Sequence, residues 1–235
     1  FAPEADVRAA NVRQHGARMQ FTLCLPDGSR TACTLALPGR HNVQNALAAA
    51  AIGWQLGVPN AAIAKALEGF QGIGRRFNQL ATLQLEGGGE VALVDDYGHH
   101  PKELAAVFAA ARGGWPEKRL VVAFQPHRYT RTRDLFDEFA AVLSRVDALL
   151  LTEVYPAGEA PIAGADASAL ARSIRPRGRV EPVVVGGAAE LAGVLPGVLR
   201  DGDLLLLMGA GDIGAAAQQI ARDGLQPQPA QGEPA

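Results

Sequence analysis

A few short segments hold the side chains whose types and spacing could do chemistry. Arg128 and Arg131 sit three apart, with Arg133 two further on, where a loop turns into a helix. Planar guanidinium forks grip carboxylate or phosphate in two places, and a helix N-terminus adds favourable potential for an anion. The competing reading is a solvated helix face, with these arginines paired to Asp134, Asp137 and Glu138. Their position directly after an apolar strand favours ligand binding for Arg128 and Arg131, and surface pairing for Arg133. Asp95-Asp96-Tyr97-Gly98-His99-His100 precede Pro101, a residue suited to the first turn of a helix. There Asp96 is expected to accept ligand hydroxyls while a histidine donates to an anion, with simple helix capping as the alternative. No third ligand stands at zinc-site spacing, so a metal site is not expected in this chain.

Two further segments are ambiguous by themselves. Gly209 to Gly214 matches GxGxxG between a strand and a helix. It lies in the last strand–helix unit, however, and no later strand carries the acidic residue a dinucleotide site needs. Close strand-to-helix packing, with an open helix N-terminus facing the site, fits better, and a nicotinamide enzyme is excluded. Arg40-His41-Asn42-Val43-Gln44-Asn45 opens a helix. Asn42 is expected as its N-cap, and Asn45, one turn on, could offer its amide to an adenine edge. Lysine settles one nucleotide question. The chain has only Lys65, Lys102 and Lys118, preceded by Ala64, Pro101 and Glu117. A P-loop requires Gly-Lys-Ser/Thr, so ATP chemistry here would borrow its phosphate cradle from elsewhere.

These segments need elements that bring them together. Apolar runs predict strands over 91–94, 120–124, 148–152, 183–185 and 204–208. Helical patterns fill the intervals at 101–112, 132–145, 166–175 and 188–199, with a last helix over 213–222. Near-continuous apolar strands alternating with helices imply a mostly parallel, doubly wound, Rossmann-like α/β sheet covered on both faces. In such a sheet the loops after the strands share one edge, which is where ligands bind. The loops beginning at Asp95, Gln125, Glu153 and Gly209 would therefore meet. Ahead of this block, residues 5–37 read as β-structure, with a turn at Pro26-Asp27-Gly28-Ser29. Helices follow over 42–56 and 59–70. GFQGIGRR at 69–76 carries three glycines and marks a boundary.

Composition narrows the classes. A chain of 235 residues that is 48% hydrophobic and 20% charged can bury a sizeable core. A net charge of -2 argues against nucleic acid as partner. No run reaches 18 apolar residues, so membrane insertion is not expected. Cys24 and Cys33 lack metal or redox spacing and read as small apolar strand residues in a reducing compartment. The chain opens on Phe1, and β-structure follows almost at once, which suggests processing or a piece of something longer. The Pro- and Gln-rich end, 223–235, is expected to be disordered.

Taken together, GRHNVQNALAA (39–49), GIGRRF (72–77), VDDYGHHP (94–101), FQPHRYTRT (124–132), EVYPAGEAPI (153–162) and GAGDI (209–213) resemble the Mur ligases, which build peptidoglycan precursors with ATP. DDYGHHP with PHRYTR is similar to the branch that adds L-alanine to UDP-N-acetylmuramate. The resemblance implies that residues 1–75 are the end of the central ATPase domain, a partial α/β domain, and 76–222 the C-terminal domain. It also implies a bacterial, cytoplasmic enzyme using ATP and Mg2+, with the P-loop, the Mg2+ ligands and the UDP-binding domain outside this chain. The fragment alone would then be inactive. Carried over, Asn42 and Asn45 contact adenine, Arg76 reaches phosphate oxygens, and Asp96 binds near the ribose. His99, Arg128 and Arg131 hold the muramoyl-alanine end with its carboxylate, Tyr97 lines the site, and Arg76 and His99 act in catalysis. His100 and His127 are read as structural, while Asn78 and Lys102 depart from the family pattern. Two other readings remain: a non-catalytic nucleotide- or precursor-binding module, and the related ligase that recycles a tripeptide.

Overall fold

A computed structural model describes residues 1–225; the end expected to be disordered lies, from 226 on, outside the described residues. The chain divides into two compact units, Phe1–Gly74 with Ala106–Glu117, and Arg75–Ala105 with Lys118 onward.

In the first unit, β1 (Arg8–His15), β2 (Arg18–Cys24) and β3 (Arg30–Leu35) form an antiparallel meander. The turn between β2 and β3 falls where Asp27 and Gly28 direct it: Asp27 Oδ1 accepts the Ser29 amide at 2.9 Å, and Gly28 takes φ 83°. Alternate residues Met19, Phe21, Leu23, Cys33 and Leu35 face inward. They pack against Val43, Ala46, Leu47 and Ala50 of α1 (Arg40–Gln55) and Ile63 and Leu67 of α2 (Asn60–Gly69). The helix N-cap is Gly39 at φ 95°, not Asn42. Asn42 sits three residues inside, buried, where its Nδ2 donates to the Pro38 carbonyl at 2.8 Å. The Val43, Ala46, Leu47, Ala50 stripe fixes the helix's rotation, and that rotation turns Asn42 inward.

The second unit is a six-stranded sheet in the order β4-β5-β9-β6-β7-β8. Its strands are β4 (Asn78–Gln84), β5 (Glu90–Asp96), β6 (Leu120–Phe124), β7 (Ala148–Thr152), β8 (Pro182–Val185) and β9 (Leu204–Met208). β5 to β9 run parallel, whereas β4 pairs antiparallel with β5 through a loop containing Gly87, Gly88 and Gly89, all at positive φ. The apolar pattern misses β4, because as an edge strand it buries only Leu83 and reads as polar. Every residue of β6 and β9 is buried, as continuous apolar runs between two helical layers must be. One face packs Val121, Leu205 and Leu207 on Ile213, Ala217 and Ile220 of α8 (Ile213–Asp223). The other sets Phe124 against Phe139 with ring centroids 5.5 Å apart.

Between the strands run α3 (Pro101–Gly114), α4 (Tyr129–Asp134), α5 (Phe136–Leu143), α6 (Ala167–Ile174) and the short α7 (Leu191–Val194). Two helices differ from expectation. The one anticipated over 132–145 begins earlier and breaks at Leu135, φ -115°. The one over 188–199 splits into short 3-10 and α turns around Gly193, Pro196 and Gly197. The last helix extends to Asp223, one residue past its expected end. No helix among the described residues is long and apolar enough to cross a membrane.

Candidate active site

Four neighbouring strands, β5, β9, β6 and β7, end level with one another. Asp96 lies opposite Met208, Phe124 opposite both Met208 and Leu151. The loops that follow therefore open on one edge of the sheet. An added parallel bridge, His127 to Tyr155, continues the β6–β7 pairing into these loops.

At the β5 end the two carboxylates are buried and already engaged. Asp95 is fully buried and takes Nε of Arg75 at 3.2 Å, while Nη2 of that arginine donates to the Gly209 carbonyl at 2.5 Å. Asp96 is 4% exposed; its Oδ2 accepts the Phe77 amide at 2.8 Å and its Oδ1 the Gly98 amide at 2.7 Å. Burial pushes both carboxyls above the ordinary range, against the pull of Arg75 on Asp95 and of the two amides and Arg76 on Asp96. Asp96, expected to accept ligand hydroxyls, here accepts two backbone amides, one on each oxygen. Arg76, its neighbour, is exposed and makes no hydrogen bond among the described residues.

The HH pair combines both of its readings. Glu103 Oε2 accepts the amides of His99 (3.0 Å) and His100 (3.1 Å), which caps α3. The His99 ring does something further. Its Nδ1 lies 3.0 Å from the Tyr97 carbonyl, which can only accept, so Nδ1 carries the proton and Nε2 has the free lone pair. Glu103 Oε2 lies 3.6 Å from the same Nδ1. Tyr97, His99, His127 and Tyr155 then form a continuous aromatic row, with successive centroids 5.2, 5.9 and 5.4 Å apart.

Arg128 and Arg131 stand beside this row. Arg128 adopts φ 72°, rare for a residue with a Cβ, and is held there by its amide on Tyr155 O (2.9 Å) and by Thr132 Oγ1 on its carbonyl (2.9 Å). Its side chain is exposed. Arg131 reaches back to the His127 carbonyl at 3.3 Å. Glu159, from the β7 loop, accepts the Thr130 amide at 3.0 Å and its hydroxyl at 2.7 Å, so the start of α4 is tied to a third loop. Arg133 pairs with Asp134 at 2.8 Å on the surface, as its surface reading predicted.

Burial, then Arg131, opposes charging of His127 and holds its pKa below the ordinary histidine range. A depressed folded-state pKa contributes stability above the unfolded value that is lost as pH falls through the folded one. We expect the His127 ring resonances to titrate below an unstructured histidine, and Arg131→Ala to move that midpoint part of the way back up. An unchanged midpoint in the variant would remove Arg131 as a cause.

The glycine-rich turn works by close packing. A Cβ at Gly209 would meet the Gln125 carbonyl at 2.7 Å, one at Gly211 would collide with Gln125 Oε1 and the Tyr155 ring, and one at Gly214 with the Arg75 guanidinium. Its helix N-terminus is not open, which corrects that expectation. Gln125 Oε1 accepts the Ile213 amide at 3.1 Å while its Nε2 donates to Asp212 at 2.6 Å. Asn42 and Asn45 belong to the first unit, joined weakly by Asn45 Nδ2 to Asn42 Oδ1 at 3.5 Å, with Asn45 exposed. Sequence reasoning missed Arg75, Gln125 and Glu159, whose partners are backbone groups and side chains distant along the chain. No group of three or more metal-capable side chains gathers among the described residues.

The family described as Mur ligase, glutamate ligase domain, matches residues 75–211. This chain belongs to the Mur ligase family. Residues 1–53 match the Mur ligase middle domain. A UDP-N-acetylmuramate–L-alanine ligase of Stenotrophomonas maltophilia is 72% identical over 226 residues, covering 96% of this chain and 47% of that protein. Its counterpart in Xanthomonas campestris is 72% identical over 230 residues, 98% of this chain and 48% of that protein. A crystal structure of UDP-N-acetylmuramate–alanine ligase (MurC) from Thermotoga maritima superposes with TM-score 0.76 at 27% identity, over 94% of this chain and 46% of that one. This Mur ligase chain thus spans about half the length of the curated relatives it matches.

Proposed function

We propose that the protein carrying this chain is an ATP-dependent ligase that joins L-alanine to the carboxyl group of UDP-N-acetylmuramate, through an acyl phosphate, in the bacterial cytoplasm. The observation that carries the reading is the exposed Arg128 and its neighbour Arg131 beside the Tyr97–His99–His127–Tyr155 row at the sheet's ligand-binding edge. The relatives that match along nearly the whole chain bear the name of that ligase.

In this reading each group has a task. Guanidinium forks hold a planar carboxylate in two places, so Arg128 and Arg131 take the carboxylate of the incoming amino acid. That leaves its amine to be aimed at the acyl carbon. The amine must shed a proton to attack, and the unprotonated Nε2 of His99 accepts it. Tyr97 lines the site, and Arg76, exposed and unbonded, meets phosphate oxygens. Asn42 and Asn45 serve adenine. Asp96 serves the nucleotide near its ribose, with each oxygen keeping a lone pair beside the amide it accepts. In this reading the phosphate cradle comes from parts of the protein beyond these residues, which carry no Gly-Lys-Ser/Thr, and Mg2+ is bound there with it.

A phosphate-release assay on the full-length protein tests this. Release is expected only when UDP-N-acetylmuramate and an amino acid are both present, with L-alanine preferred over glycine and L-serine. Preference for a recycled tripeptide would overturn the assignment, and binding without turnover would favour a non-catalytic module.

A further inference from the structure

The segment Arg75-Arg76-Phe77 is held in a conformation its sequence would not choose. Arg75 has φ 62° and Phe77 φ 45°, a left-handed region that side chains with a Cβ rarely occupy unless their surroundings enforce it. Three contacts enforce it. The Tyr97 amide donates to the Arg75 carbonyl at 2.7 Å, the Phe77 amide donates to Asp96 at 2.8 Å, and the Arg75 guanidinium bridges Asp95 and the Gly209 carbonyl. The same guanidinium lies 5.0 Å from the Tyr97 ring centroid, within cation–π range. It also occupies the space that Gly214 leaves by lacking a Cβ. The third glycine of the GxGxxG match therefore makes room for an arginine side chain from 139 positions earlier (214 − 75).

We propose that Arg75 is a positioning residue, whose guanidinium, seated between Asp95, Gly209 and Gly214, fixes segment 75–77 to the sheet edge and thereby aims Arg76 and Tyr97. A fork is required for this. One nitrogen faces a carboxylate on β5 and another a carbonyl after β9, which a lysine's single ammonium cannot span in the same way. Arg76, between two anchored neighbours, has its backbone set while its side chain stays available. Loss of the bridge would leave Arg76 chemically intact but misplaced, and small misplacements in a reacting site cost up to about a hundredfold in rate. The kinetic part of this proposal rests on the ligase reading; the structural part does not.

Gly214→Ala is the sharpest probe, because alanine favours a helix and its methyl meets the Arg75 guanidinium first. The experiment compares Gly214→Ala, Arg75→Ala, Arg75→Lys and the Arg75→Ala/Gly214→Ala double variant in the full-length protein. It reads kcat/KM for ATP and, separately, amide hydrogen exchange in peptides spanning 75–80 and 95–100. Each single variant is expected to lower kcat/KM for ATP by about ten- to a hundredfold. Each should also speed exchange at Phe77 and Tyr97, with the double variant no worse than the more impaired single. A Gly214→Ala protein that fails to fold should be rescued by Arg75→Ala, since the collision needs that side chain. Wild-type behaviour of Gly214→Ala in both readouts, full function in Arg75→Lys, or effects that multiply in the double variant would overturn the proposal. If the wild type itself releases no phosphate, the ligase reading fails, and the exchange data still decide the positioning role.

Discussion

Arg128→Ala and Arg131→Ala are each expected to raise KM for L-alanine and lower kcat/KM by about ten- to a hundredfold, with KM for ATP nearly unchanged. The magnitude follows from losing charge-assisted hydrogen bonds to a carboxylate, worth about 1.5–3 kcal/mol. The selectivity follows from placement. Arg128 projects from the N-cap of α4 with an exposed side chain, and its backbone is fixed by Tyr155 and Thr132, neither of which the substitution removes. Arg131 reaches both the His127 carbonyl at 3.3 Å and its ring Nδ1 at 3.4 Å, and so carries a modest structural share. Steady-state kinetics with each substrate varied in turn would measure this. A rise in KM for ATP with L-alanine use intact would mean that the arginines hold phosphate instead.

The second large effect is expected far from the chemistry. Arg119 and Asp203 stand where β6 and β9 begin, at the opposite edge of the sheet, and meet as a fork: Nε to Oδ1 at 2.9 Å and Nη2 to Oδ2 at 2.8 Å. Asp203 is 1% exposed, and Nη2 of Arg119 also donates to the Val198 carbonyl at 2.6 Å. Arg119→Ala leaves a buried carboxylate without its cation, with the Arg200 amide still on Oδ2, and should cost about 3 kcal/mol. For a body of this size that is roughly 6–12 °C in Tm. Kinetic constants measured well below the transition should stay as in wild type, because no residue of the candidate site touches this pair. Calorimetry and the phosphate-release assay would separate the two readouts. A catalytic defect without loss of Tm would contradict the division between a structural edge and a functional edge.

The sequence was most legible where physics acts locally. β6 and β9 are uninterrupted apolar runs, and their strand bounds follow from burial on both faces. The shared edge followed from topology alone, which made Arg128, Arg131 and His99 neighbours before any distance was known. What stayed hidden were long-range pairings. β4 looks polar because it is an edge strand with one buried residue, and Asn42 looks like a cap until the packing stripe of α1 rotates it inward. The amides of Phe77 and Gly98 on Asp96 were equally hidden, because no sequence pattern announces a backbone donor. Arg75 is the clearest case. Beside Arg76 the two are indistinguishable by type, yet one is bound to Asp95 and Gly209 while the other is exposed and unbonded.

The central claim is that Arg128 and Arg131 recognise the carboxylate of the amino acid being joined. Its most direct test changes the carboxylate and the arginines together, by comparing L-alanine with L-alaninamide in wild-type protein and in the Arg128→Ala/Arg131→Ala variant. Wild type is expected to favour L-alanine by about a hundredfold in kcat/KM, and the variant to lose nearly all of that preference. A preference that survives in the variant would show that the carboxylate is held elsewhere.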